Sequence, residues 1–171
     1  MSRTLLSVSE MRSLIEVLRK VYGAITVFMQ SEPVGKYLKY SQIPSILTES
    51  LAIHLLRKGE ILHKELDGFS FNFGGKISDI TAIRGSSNLR IEVKATGPKA
   101  FQYFSDKDIH ANYIIWIHFG SFFMGNKNTP IEVYIIRDPN RYFPERKKIV
   151  LSKLKKIVKD LSEVDIDLDK L

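Results

Sequence analysis

The chain contains no cysteine, so no disulfide can staple it and no thiolate zinc site can form. It has no run of about eighteen apolar residues, the length a helix needs to span a bilayer, and no membrane partner is expected. The opening M-S-R-T-L-L-S-V-S-E-M-R lacks the apolar core and small-residue cleavage site of a secretory signal. With the missing cysteines, that points to the cytoplasm. Glycine-rich phosphate loop, nucleophile elbow and zinc motif are absent too, as are internal repeats and low-complexity stretches. Acidic residues are the minority: 19 Asp and Glu face 26 Lys and Arg, a net charge of +7. Such a surplus suits a polyanionic partner, nucleic acid above all, and equally suits plain solubility.

What is present fits one α/β domain over residues 1–171, long enough to bury a core and too short for two comfortable ones. Residues 1–43 read as an N-terminal helix and connector, 44–136 as the core, and 137–171 as a C-terminal basic amphipathic helix with an acidic tail. Ser7 and Glu10 have capping-box spacing at the head of a helix over residues 7–30, whose stripe is Met11, Leu14, Ile15, Leu18, Val21, Tyr22 and Ile25. A second helix is expected from Pro44 to about Arg57, with Gly59 past its end. It is apolar most of the way round, and Glu49 sits among its apolar positions. A buried carboxylate demands a partner, either a core arginine or a metal.

Residues 60–66 and 69–73 read as strands about the Asp67-Gly68 turn. Ser105 and Asp108 repeat the capping-box spacing for a short helix to about Asn112, with the preceding T-G-P-K-A-F-Q-Y-F taken as a loop. Residues 113–119, Y-I-I-W-I-H-F, suit a strand buried on both faces. Another strand is expected over 131–136.

Residues 77–96 concentrate the chemistry. Two runs of period two flank Gly85-Ser86-Ser87-Asn88, the signature of a hairpin. A four-residue loop puts Thr81 opposite Glu92 and Asp79 opposite Lys94. Residues two apart share a face, so Asp79, Thr81, Glu92 and Lys94 project from one side, while Ile80, Ala82, Ile91 and Val93 bury on the other. Two carboxylates on one wall can share one cation; Asp79 and Lys94 can equally form an ordinary cross-strand ion pair.

Asp79, the Glu92-Val93-Lys94 triplet and the helical Glu49, in this order of elements, resemble the PD-(D/E)XK nuclease superfamily over about residues 44–136. One departure is that Ser78, not proline, precedes Asp79. The resemblance implies a restriction-endonuclease-like core of helix, three-stranded antiparallel meander, helix and strand, with added N-terminal and C-terminal helices. It implies Mg²⁺, with Mn²⁺ able to substitute, held by Asp79, Glu92, the Val93 carbonyl and Glu49. Asp79, Glu92, Lys94 and Glu49 are then the catalytic set, Lys94 orienting the attacking water and offsetting phosphate charge. Thr81, Thr96, Lys99 and Gln102 are candidate DNA contacts, each equally open to a structural role. The expected activity is a Mg²⁺-dependent endodeoxyribonuclease, a type II restriction endonuclease cutting duplex DNA as a homodimer. Two alternatives stand beside it: a Holliday-junction or other structure-specific repair nuclease, and a basic DNA-binding protein without an active site.

Overall fold

A computed structural model describes residues 4–31, 33, 35–75, 77–125 and 129–168. Expectations touching Met1 to Arg3, Glu32, Val34, residues 126–128 and Asp169 lie outside the described residues.

Helix α1 (Val8–Met29) begins as its spacing predicts. The Glu10 N–H donates to the Ser7 hydroxyl at 3.3 Å while the Ser7 N–H donates to the Glu10 carboxylate at 2.8 Å. Helix α2 (Ser45–Lys58) follows Pro44 and stops at Gly59, whose φ of +69° few side-chain-bearing residues adopt. Then come β1 (Ser70–Phe73), β2 (Ile80–Arg84), β3 (Ser87–Thr96), β4 (Phe101–Phe104), α3 (Asp106–Ile109), β5 (Tyr113–His118), β6 (Ile131–Arg137), β7 (Lys147–Val150), α4 (Leu151–Ile157) and β8 (Ser162–Ile166).

The fold is mixed α/β with a mostly antiparallel sheet. Six strands run in the order β1-β2-β3-β5-β6-β8, and only the β3–β5 pair is parallel. Strands β4 and β7 pair separately as a two-stranded ribbon. Period-two alternation sorts β5 between two cores. Ile115 and Ile117 join α1 and α2 on one face, while Ile114 and Trp116 pack with Phe104, Phe143 and Leu154 on the other. That double burial explains the unbroken apolar run.

Four expectations are corrected. Residues 60–66 form turns rather than a strand: Leu62 has φ +51°, and Ile61, Leu62 and Leu66 bury without alternation. The hairpin closes through the two residues Gly85-Ser86, pairing Thr81 with Arg90 and Arg84 with Ser87. Gly85 has φ +59° at the first central position, the demand of a tight type II′ turn, whose twist matches the strands better than a four-residue loop. Residues 101–104, expected in a loop, form β4, and α3 ends at Ile109. Finally, the expected C-terminal helix is only Leu151–Ile157, preceded by β7. The acidic tail is not a tail, because β8 pairs antiparallel with β6, turning Val164 and Ile166 inward and Glu163 and Asp165 outward.

Candidate functional site

The corrected register moves the hairpin by two residues, and an even shift leaves every side chain on its face. Glu92 and Lys94 therefore still project together, from the face of β3 opposite Ile91 and Val93. What changes is the partner. Asp79, just before β2, accepts the Val93 N–H through Oδ2 at 2.9 Å and lies beside Glu92, not Lys94.

The third side of the cluster is α3. Ser105 donates to Asp108 Oδ2 from both its N–H and its hydroxyl, at 2.7 Å each, which caps this single turn. Two consecutive residues of that turn then reach the hairpin. Lys107 Nζ lies 3.0 Å from Asp79 Oδ1 and 2.8 Å from Glu92 Oε2, so one ammonium bridges both carboxylates. Asp108 is fully buried, and its Oδ1 lies 2.7 Å from Lys94 Nζ.

Burial, reinforced by the Asp79 and Asp108 charges, raises the Glu92 carboxyl to about 7, against the opposing pull of Lys107. For Lys107, burial lowers the value, but its bonds to Glu92 and Asp79 outweigh that and leave it raised. Glu92 is 1% exposed, and its Oε1 accepts no hydrogen bond among the described residues. A buried carboxylate oxygen left in that state is costly unless a cation or water meets it.

The remaining candidates separate. Glu49 is buried on α2, which packs against the opposite face of β3, among Ile91 and Val93. Among the described residues no three His, Cys, Asp or Glu come together closely enough to hold a metal, so Glu49 is not gathered with Asp79 and Glu92 as the resemblance implied. The Thr81 hydroxyl meets that of buried Ser78 at 2.9 Å. Thr96 is buried, accepting from Trp116 Nε1 at 2.8 Å and meeting His118 Nδ1 at 2.9 Å, so its hydroxyl is engaged in the interior. Gln102 Nε2 donates to the Ala95 carbonyl at 2.5 Å, tying β4 to the end of β3. Lys99 stands exposed in the loop between them.

The sequence reading missed Lys107 and the ion-pairing of Asp108. Asp108 was legible as a cap; that α3 folds back over the hairpin is a long-range fact with no local signal. In comparisons with known proteins, no family model, no curated protein and no solved structure matches the chain.

Proposed function

We propose that this chain is a metal-dependent DNA endonuclease of the restriction-endonuclease-like kind, hydrolysing phosphodiester bonds at the Asp79, Glu92 and Lys94 cluster. The observation that carries the reading is the single ammonium of Lys107 shared by Asp79 and Glu92 beside a second fixed cation, Lys94. Two carboxylates already arranged around one positive charge, with a buried Glu92 oxygen to spare, fit a hard divalent ion. Asp79 and Glu92 would hold Mg²⁺ or Mn²⁺, and by resemblance the Val93 carbonyl would add a ligand. Bound there, the ion supplies charge neutralisation at the phosphate and a more acidic water.

The chain's own groups do the rest. Asp108 holds the Lys94 ammonium in place, its Oδ1 2.7 Å from Nζ. Held there, Lys94 would orient the attacking water and offset phosphate charge. The order α2, β1-β2-β3 meander, α3 and a β5 parallel to β3 supports the likeness.

One observation favours a second reading. Each of the three described carboxylates facing Lys94 or Lys107 has its cation within 3.0 Å, as in a basic DNA-binding protein whose cluster is only a salt-bridge network. Supercoiled plasmid incubated with Mg²⁺ or with EDTA separates the two. Nicked or linear product with Mg²⁺ alone is expected, and Asp79→Ala or Lys94→Ala should slow it by at least about 100-fold. Full cleavage by either variant would remove the site; retarded but uncut plasmid would favour the binding protein.

A further inference from the structure

Beside the cluster, β3 runs out into an open groove of about 530 Å³. Its walls come from segments far apart in sequence: the connector after α1, the end of β3, the 97–100 loop and the start of β4. Lys39, Lys94 and Lys99 line it with Tyr40, Phe101 and Gln102, and among the described residues no Asp or Glu contributes to the lining. A concave surface carrying three lysines is complementary to a polyanion. The aromatic rings add a second preference. Tyr40 is half-buried and stacked on Tyr22, at 5.0 Å between ring centroids, while Phe101 is 39% exposed.

Phe101 also belongs to the outer face of the β4–β7 ribbon. There the register pairs Phe101 with Val150 and Tyr103 with Lys148, and all four are exposed. Lys148 Nζ lies 4.2 Å from the centre of the Phe101 ring, and Tyr103 is 54% exposed. Lysines and rings thus lie together from Lys94 and Lys99 in the groove, through Phe101, to Tyr103 and Lys148 on the ribbon. In a duplex the base faces are stacked inward; only an unpaired strand can lay them on protein rings.

Resting on the nuclease reading above, we infer that this groove and ribbon hold an unpaired DNA strand leaving the cluster, so that the substrate is DNA with an unpaired stretch beside the bond that is cut. Lys39 and Lys99 meet phosphates, and Tyr40, Phe101 and Tyr103 meet bases.

The test is fluorescence anisotropy in EDTA, where no cleavage intervenes, with a labelled twenty-residue oligo-dT and a blunt duplex of equal length. The expected result is binding of oligo-dT about ten-fold or more tighter than the duplex. Phe101→Leu should weaken oligo-dT about ten-fold, and Phe101→Tyr should restore it. Lys99→Ala should lower the salt slope by about one phosphate contact. Equal affinity for both DNAs, or oligo-dT binding indifferent to Phe101→Leu and Lys99→Ala, overturns the inference even if plasmid is cut. Oligo-dT held as expected, with no product in Mg²⁺, sustains the groove and removes the nuclease reading instead.

Discussion

At the scale of single residues, Glu92 is the group whose environment is most at odds with its charge. Its folded-state value near 7, against an ordinary 4.5, means the folded chain holds that proton more tightly than the unfolded chain. Stability therefore falls as pH rises from about 4.5 to about 7 and stays lower above it. Glu92→Gln removes the titration. Its advantage over the parent in denaturant unfolding should grow by on the order of 3 kcal/mol between pH 4 and pH 8. A constant difference across that range would mean that Glu92 is not strained by burial. Lys107 offsets part of that strain, and it occupies the position between two carboxylates that a divalent ion would take. Lys107→Met should therefore bind Mg²⁺ more tightly than the parent in calorimetry without DNA, since no ammonium has to leave. Equal or weaker binding would mean that the ion, if it binds, goes elsewhere.

The element that organises these contacts is α3, a single turn whose two consecutive residues reach three charged partners. Asp108 both caps the turn and holds Lys94. Asp108→Ala should lose about 3 kcal/mol, roughly 1 for the cap and the rest for an ion pair discounted because Lys94 is a quarter exposed. Asp108→Asn keeps an acceptor for Ser105 and should lose mainly the ion-pair share; equal losses in chemical denaturation would deny the cap any part. Legibility also sorts by element. The capping boxes of α1 and α3, the Gly59 stop and the faces of β2 and β3 were readable because caps and period two are local. The hairpin register was not, since Gly85-Ser86-Ser87-Asn88 admits either a two- or four-residue loop and the hydrophobic pattern cannot distinguish an even slip. The acidic 163–168 stretch concealed β8: its charge drew the eye, although Val164, Ile166 and Leu168 alternate. Lys107 was unreadable because nothing near it in sequence announces Asp79 or Glu92, 28 and 15 positions earlier.

For the whole molecule, the surface that asks for a partner is the outer side of α1. Val17, Val21 and Phe28 are 54, 40 and 61% exposed, and Ala24 between them is also exposed. Their spacing of four, three and four is that of a coiled-coil seam, and residues 21–31 carry no charge. Leaving two β-branched residues and an aromatic in water is unfavourable, whereas burying each against a neighbour yields about 1.5–3 kcal/mol per side chain. A second copy of α1 would present the same seam, so a two-fold pairing would cover both. It would also give the assembly two clusters, one for each strand of a substrate. Light scattering should find a dimer at micromolar concentration, and Phe28→Glu, which places a charge in the seam, should leave a folded monomer. Under the nuclease proposal, the same variant should turn plasmid cleavage from linear product toward nicked circles, because a lone cluster would act on one strand at a time. A monomeric parent, or a Phe28→Glu chain that still sediments as a dimer, would exclude α1 as the contact.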